Sequence, residues 1–160
     1  MTETGHFDDE ITITRAFYRV LQAGAGNTGN TRSTERIARE TFEQGDLVRV
    51  EIKIDYSKKA LHGAYSVTDY LPAGLAFAEN TAGVERGTAS GRGAFSYATV
   101  EGRKVTFFDF NSRFDRELTY YYYARVISPG TFKAEGPLVR NLIAVDYFTT
   151  GTDTTIVIYG

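Results

Sequence analysis

The 160-residue sequence contains no cysteine, no tryptophan and only two histidines. The absence of cysteine excludes disulfides, thiolate catalysis, iron–sulfur clusters and cysteine-ligated zinc. His6 lies in the polar N-terminal stretch and His62 in a turn-like stretch, far apart along the chain. Without cysteine, two distant histidines provide neither a zinc ligand set nor a catalytic triad. We therefore expect both to be polar surface residues, and we predict no catalytic residue, cofactor or metal.

Strong charge of one sign and long apolar runs are also missing. The formal net charge of −2 argues against a nucleic-acid-binding surface. No apolar run approaches the ~20 residues that a membrane-spanning helix needs. The N-terminal stretch MTETGHFDDE is acidic and lacks the basic and apolar regions of a signal peptide. We therefore expect either a cytosolic protein or a piece of a longer secreted chain, with residues 1–9 as a flexible segment.

The pattern that the sequence does contain is two-residue alternation. In VRVEIKIDY (48–56), apolar residues alternate with charged ones. Such alternation is typical of a strand with one face in a hydrophobic core and the other in water. The outward charges alternate in sign, which suits a solvated antiparallel sheet.

Similar segments recur between glycine-rich connections. They are EITITRAFY, AYSVTDYL, AFSYATV, KVTFFDF, LTYYYYARV, TFKAE, LVRNLIAVDYF and TTIVIY. Glu101-Gly102-Arg103 separates two of them and is typical of a hairpin turn. The length and the 42% hydrophobic share suffice for one core. The sequence predicts an all-β protein, a single antiparallel β-sandwich of roughly 8–9 strands over residues 10–160.

Residues 33–44, STERIARETFEQ, fit two kinds of structure. Ser33 is a suitable helix N-cap, good helix formers follow it, and Gly45 would close a helix. Residues 37–42 also alternate in the manner of a strand. The segment is predicted either as a short helix or, with a slight preference, as a strand after a long loop.

The stretch GAGNTG has the glycine spacing of a dinucleotide-binding loop, with Gly24, Gly26 and Gly29 at its three positions. That kind of site needs a helix beginning at the third glycine and a parallel sheet around it. Here residues 30–34 intervene, and the rest of the chain predicts antiparallel strands. We therefore interpret the stretch as a flexible loop.

Acidic and lysine residues suggest two further kinds of site. Asp69, Asp109 and Asp115 could serve hydrolysis or hold calcium, but the sequence lacks calcium-binding spacing and does not define their separation. The acidic run at residues 8–10 is most simply solvated. An intramolecular Lys–Asn isopeptide bond would need a buried lysine. Lys53 lies on the outward face of its strand, and the other candidates are predicted to be exposed or in loops: Lys58, Lys59, Lys104 and Lys133.

Four consecutive tyrosines in LTYYYYARVISPGTF suggest an aromatic binding surface. Because successive side chains of a strand point to opposite faces, we predict Tyr120 and Tyr122 in the core, each with a partner for its hydroxyl. Tyr121 and Tyr123 are predicted outside, beside Arg125. These three residues form the candidate surface-contact site, more suited to a protein than to a small ligand. The alternative, which we favour, is a cross-strand aromatic pair that stiffens the sheet.

Three motifs resemble the C-terminal macroglobulin-like domain of bacterial alpha-2-macroglobulins. They are GDLV (45–48), D-x-LPAGL (69–75) and Y-x-x-R-x-x-x-PG-x-F (122–132), and the resemblance spans roughly residues 11–158. Pro72 with Gly74 is expected to turn the chain out of its strand, and Gly130 is expected to supply a positive φ. The chain departs from the family at residues 101–104, which lack the usual acidic-acidic-Arg triplet. It also lacks the family's Met-Tyr followed by proline, and the resemblance does not assign Tyr147 the thioester-shielding role of a tyrosine in some relatives.

The resemblance implies an extracytoplasmic protein that entraps proteases, using a bait region and, in some members, a Cys–Gln thioester. This chain contains neither cysteine nor a recognisable bait. The resemblance therefore implies a non-catalytic C-terminal domain that contacts neighbouring domains of a larger parent chain and meets proteases only through that parent. The lack of a signal peptide and the final strand at the terminus suit such a fragment. Two alternatives stay open, namely an Ig-like spacer of a bacterial cell-surface protein and a carbohydrate-binding sandwich.

Overall fold

The computed structural model describes residues 10–22, 32–78, 82–86, 96–111 and 117–160. These residues form fourteen strands and no helix, which confirms the all-β prediction. None of them forms a helix long and apolar enough to cross a membrane. In chain order the strands are β1 (Ile11–Gln22), β2 (Arg32–Thr34), β3 (Thr41–Glu43), β4 (Leu47–Tyr56), β5 (Gly63–Tyr70), β6 (Leu75–Phe77), β7 (Gly83–Arg86), β8 (Ser96–Glu101), β9 (Lys104–Asn111), β10 (Glu117–Val126), β11 (Gly130–Ala134), β12 (Leu138–Asn141), β13 (Phe148–Thr150) and β14 (Thr154–Tyr159).

The strands assemble into three sheets. The largest has six strands in the order β2-β1-β4-β10-β6, with β7 also paired to β10. A five-stranded sheet has the order β13-β12-β5-β9-β8, and a small sheet has the order β11-β14-β3. The described pairs are antiparallel except β14 with β3, which is parallel. The predicted sandwich is confirmed, with this one parallel pair as an addition.

Short strands raise the count above the roughly 8–9 predicted. LVRNLIAVDYF forms two strands, β12 and β13, on either side of a turn at residues 142–147. Strands β6 and β7 are three and four residues long and both pair with β10. Alternation needs a longer stretch to be recognised, so such strands cannot be distinguished from loops in a sequence.

The ambiguous segment at residues 33–44 contains no helix. Its ends form β2 and β3, and the chain between them follows the edge of β1. The Glu35 N–H donates to the Arg19 carbonyl at 2.9 Å, and the Arg39 N–H donates to the Phe17 carbonyl at 2.8 Å. Because these backbone donors bind β1, they are not available for the i→i−4 bonds of a helix. The strand prediction is confirmed only at the two ends of the segment, because residues 35–40 form no strand.

The core lies between the six-stranded and five-stranded sheets. On β4, alternate residues from Val48 to Ile54 are at most 1% exposed, as the alternation predicts. Phe107 of β9 bridges the layers, with its ring centroid 5.2 Å from that of Tyr120 and 6.5 Å from that of Tyr122. Tilted aromatic pairs at such distances add to the stabilisation from burial.

Glycine is required at three corners, for two different reasons. Gly102 forms the tip of the β8–β9 hairpin with φ of 61°, in the left-handed region that favours glycine, and the predicted hairpin is confirmed. Gly130 also has a positive φ, as predicted. Gly74 is needed for packing, because a Cβ there would lie 2.6 Å from side-chain atoms of Phe132 and Ile158.

Candidate functional site

The tyrosine run divides between core and surface as alternation predicts. Tyr120 and Tyr122 are fully buried, whereas Tyr121 and Tyr123 are half-buried on the outer face of the six-stranded sheet. The rings of Tyr121 and Tyr123 meet edge to face, with centroids 6.2 Å apart. The Tyr122 hydroxyl donates to Asp69 Oδ2 at 2.5 Å, so it has the partner that its burial requires.

The cation beside the outer tyrosines is Arg49. Its guanidinium carbon lies 4.2 Å from the Tyr121 ring centroid and 5.9 Å from that of Tyr123. Glu51 holds this arginine through a contact of 2.9 Å to its Nε. Arg125 does share the outer face, but its Nη1 donates to the Gly45 carbonyl at 3.0 Å. Arg49 was missed because only the register, which pairs Tyr123 with Arg49, brings them together.

This arrangement limits what the outer tyrosines can bind. The Arg49 guanidinium covers a face of Tyr121, the surface that a sugar or base would stack on. The negative charge of Glu51 balances the cation, and both side chains are largely buried, at 13% and 17% exposure. The geometry therefore favours the cross-strand structural role, with the tyrosine edges still accessible to a protein partner.

Asp69, which belongs to the D-x-LPAGL motif, lies in the core and forms an ion pair there. Arg15 Nη1 donates to Asp69 Oδ1 at 2.5 Å, and each side chain is 1% exposed. Arg15 also donates to the carbonyls of Glu135 and Ala134, at 2.5 and 3.0 Å. The buried cluster of Arg15, Asp69 and Tyr122 thereby connects β1, β5 and β10 with the end of β11. Sequence reasoning missed Arg15, because it occupies an inward position where an apolar residue is expected.

Burial shifts the pKa values of Asp69 and Tyr122 in this cluster. Desolvation raises the pKa of Asp69, while Arg15 and the Tyr122 hydroxyl oppose that shift by stabilising the carboxylate. The pKa of Tyr122 is raised well above its usual range by burial and by the neighbouring carboxylate. Such a cluster is enclosed on all sides and has no access for a substrate, so its contribution is structural.

The other residues considered from sequence are dispersed. Lys53, Lys58, Lys59 and Lys133 are exposed and Lys104 is half-buried, so none offers the buried amine of an isopeptide bond. His62 is exposed in the loop after β4. Among the described residues, no group of three His, Cys, Asp or Glu could hold a metal. Several candidates lie outside the described residues: His6, Asp8, Asp9, Gly24, Gly26, Gly29 and Asp115.

The turn between β12 and β13 presents apolar side chains to solvent. We call residues 142–146 the apolar turn, in which Leu142 is 42%, Ile143 86% and Val145 56% exposed. Asn141 orders this turn, because its Oδ1 accepts the N–H groups of Ile143 and Ala144 at 3.0 and 2.9 Å. The turn therefore presents these apolar side chains on backbone that hydrogen bonds hold in a defined conformation.

Tyr147, at the end of this turn, points inward. It is 6% exposed, and its hydroxyl donates to Glu10 Oε2 and accepts the Leu61 N–H. Burial and the Glu10 contact raise the pKa of Tyr147. The tyrosine anchors the turn to the body of the domain, and the aliphatic residues form the surface.

A groove of about 860 Å³ lies at the opposite end of the sandwich. We call it the edge groove, because it lies between β6 of the large sheet and β8 of the five-stranded sheet. Its described lining side chains are apolar apart from Arg103 and include Leu75, Phe77, Ala98, Val100 and Ile127. Val100 and Ile127 are 41% and 45% exposed.

A two-layer sandwich with a six-stranded and a five-stranded sheet, the buried Asp69 motif and the Pro-Gly corner define a macroglobulin-like domain. The family described as the bacterial alpha-2-macroglobulin MG10 domain matches residues 11–143. The chain belongs to this family, as the three motifs indicated. No curated protein matches the chain.

Solved structures share the fold at low sequence identity. Native alpha-2-macroglobulin from Escherichia coli, from domain MG7 to the C-terminus, is 19% identical with a TM-score of 0.63, over 94% of this chain and 23% of that one. Salmonella alpha-2-macroglobulin reacted with methylamine is 20% identical with a TM-score of 0.62, over 94% of this chain and 9% of that one. BcpA, the major pilin subunit of Bacillus cereus, is 17% identical with a TM-score of 0.61, over 93% of this chain and 40% of that one. This chain thus spans a quarter or less of the solved macroglobulins.

Proposed function

We propose that the chain is a non-catalytic domain of a larger, extracytoplasmic, alpha-2-macroglobulin-like protease-trapping protein, in which it provides contacts to neighbouring domains. The observation that supports this most strongly is the family match over residues 11–143. The small share of each solved macroglobulin that the chain spans also favours a part of a larger whole. A Cys–Gln thioester cannot form within the chain, because it has no cysteine.

The apolar turn is the contact surface that we propose for a neighbouring domain. Three aliphatic side chains are exposed together on backbone that Asn141 holds in place. Interfaces between domains of one chain bury such apolar surface over roughly 600–1,500 Å². The outer face with Tyr121, Tyr123 and Arg125 is the second proposed contact surface. Its mixed aromatic and charged character suits the more polar rim of an interface.

The coding sequence on either side of this segment tests the identity of the parent. Macroglobulin domains and a thioester domain in the same reading frame would support the proposal. Tandem copies of this domain followed by a cell-wall anchor would contradict it and favour the spacer alternative. Because the chain has no thioester cysteine, we also expect the purified chain to leave the rate of casein cleavage by trypsin unchanged. Stoichiometric inhibition would refute the non-catalytic, non-trapping role.

A matched pair of variants tests the apolar turn in the parent protein. Ile143→Asp should lower the melting temperature of the parent, because it places a charge in the proposed interface. Ile37→Asp is the control, since Ile37 is 79% exposed and lies outside the turn, compared with 86% for Ile143. In the isolated chain both variants should melt within about 2 °C of the wild type, because exposed substitutions change stability little. Equal effects of the two substitutions in the parent would exclude the turn as the interface.

A further inference from the structure

The edge groove is bounded by two strand edges that no described strand pairs with. Strand β8 is the last strand of its sheet, and β6 pairs with β10 on one side only. The side chains facing the groove are apolar, with Leu75 and Phe77 from β6 and Ala98 and Val100 from β8. An unpaired edge offers backbone donors and acceptors in a row, which is the template that an added strand recognises.

The register shows which backbone groups of β8 are available. Leu71 donates its N–H to the Arg103 carbonyl, so odd-numbered residues of β9 bond to β5. Even-numbered residues of β9 therefore bond to β8, through Lys104 with Glu101 and Thr106 with Thr99. By the alternation of an antiparallel ladder, Ala98 and Val100 direct their N–H and C=O groups to the open edge. Because they oppose Phe107 and Val105, their side chains face the interior of the sandwich, toward the groove.

Among the described residues that line the groove, one is charged. Arg103, at the tip of the β8–β9 hairpin, is exposed, and its guanidinium has no ion pair or hydrogen bond with the described residues. A second cleft of about 360 Å³ adjoins it and is lined by Arg103 together with charged residues of both signs, namely Glu101, Lys104, Lys133 and Glu135. There Lys133 is already paired with Asp153 at 3.0 Å. Arg103 is thus the cation placed to meet a carboxylate at the end of the groove.

We propose that the edge groove binds an extended segment of a partner polypeptide that adds a strand to β8, places alternate aliphatic side chains in the groove and pairs an acidic residue with Arg103. In an added antiparallel strand, residues opposite Ala98 and Val100 form hydrogen-bonded pairs with them and share their face. The same residues of the partner therefore provide both the apolar side chains and the amides that bond to β8. This surface is separate from the apolar turn and does not depend on the proposed parent protein.

The probe is the peptide acetyl-Glu-Thr-Val-Thr-Val-amide, titrated into the ¹⁵N-labelled 160-residue chain by NMR. We expect the amide signals of Phe77, Ala98, Val100 and Ile127 to shift at millimolar concentrations of the peptide. N-methylation of the two valines should weaken binding about tenfold, because it removes the amides that face β8. N-methylation of the two threonines, whose amides face solvent, is the matched control and should change binding much less.

A charge swap tests the role of Arg103. Arg103→Glu should weaken binding of the probe about two- to fivefold, the size expected for an exposed ion pair. The same variant should prefer a probe that begins with lysine. The proposal would be overturned if N-methylation of the valines left the affinity unchanged, or if Arg103→Glu bound the glutamate and lysine probes equally well. It would also be overturned if a millimolar concentration of the probe caused no chemical-shift change. The same shifts on concentrating the chain alone, with dimers in sedimentation, would overturn it in favour of a second copy as the occupant.

Discussion

Replacing Arg15 by methionine removes the cation from the most deeply buried ion pair described in the molecule. Methionine has a similar length, so the change leaves no large cavity. It leaves the Asp69 carboxylate, 1% exposed, with the Tyr122 hydroxyl as its remaining side-chain donor. It also deprives the carbonyls of Ala134 and Glu135 of the Arg15 bonds at 3.0 and 2.5 Å.

The expected loss of stability is large for a domain of this size. Breaking a buried ion pair by removing one partner costs about 3–5 kcal/mol, since the other charge stays buried without compensation. Domains are stable by about 5–15 kcal/mol, so the variant should lose a third or more of its stability. Arg15 is itself imperfectly satisfied, because its Nε has no hydrogen-bond partner within the described part of the chain. The double variant Arg15→Met/Asp69→Asn, which removes the unpaired charge and keeps a neutral acceptor for Tyr122, should therefore recover about 2 kcal/mol.

Urea unfolding followed by circular dichroism measures these differences at several pH values. Removing Arg15 takes away an interaction that lowers the pKa of Asp69, so that raised pKa should rise further. A carboxyl group with a raised pKa in the folded state costs stability as pH rises through it from about 3.9, its usual unfolded value. The deficit of Arg15→Met should therefore shrink as pH falls from 7 toward 4.

Arg125→Met is the matched control, because Arg125 is exposed and its side chain bonds, among the described residues, only to the Gly45 carbonyl. Its loss should cost no more than about 1 kcal/mol. The reasoning would be refuted if Arg15→Met cost less than about 1 kcal/mol at pH 7. A deficit that did not change with pH would show that lost packing, and not the unpaired carboxylate, explains the effect.

Two further tests concern a glycine corner and the buried Tyr122 phenol. Gly136→Ala would place a Cβ 2.0 Å from the Gly151 carbonyl oxygen, so it should lower the free energy of unfolding in urea by about 1–3 kcal/mol or more. The control is Gly102→Asn, because Gly102 has φ of 61° and no atom within 4 Å of the added Cβ, and its free energy of unfolding should stay within about 1 kcal/mol of the wild type. Equal effects of the two substitutions would contradict the packing argument. The raised pKa of Tyr122 means that the folded state holds this proton more tightly, so stability should fall as pH rises above about 10. Phenolate absorbance counts the tyrosines that lose a proton as pH rises. The count should be the same for Tyr122→Phe and the wild type while both are folded, and should differ by one tyrosine when both are unfolded. A difference between the folded proteins would mean that Tyr122 is accessible.

Much of the fold could be predicted because alternation reports directly on burial. The face of β4 that contains Val50 and Ile52 is buried as VRVEIKIDY indicates, and the tyrosine run divides by the same rule. The pairing of β14 with β3, which are far apart along the chain, could not be predicted. Register depends on contacts between distant segments, and single-strand patterns contain no information about it.

The candidate site shows the same limit. Tyr121 and Tyr123 were placed on the surface correctly, but the cation beside them is Arg49, which reaches them through the β4–β10 register. Asp69 was considered as an acidic ligand, and the structure makes it the partner of Arg15. A charged residue at an inward position of β1 was the one available signal, because buried arginines are paired when they occur.

The sequence by itself determined the all-β class, the inner and outer faces of the long strands, the glycine corners at Gly102 and Gly130 and, through three motifs, the family. These features depend on residues that are close along the chain, where backbone sterics and two-residue periodicity act. The tertiary structure decided the partners of Asp69 and Tyr121, the exposure of the apolar turn and the two strand edges at the groove that no described strand pairs with. Those features arise where segments distant in sequence meet, and their energies depend on a desolvation and a register that exist only after folding.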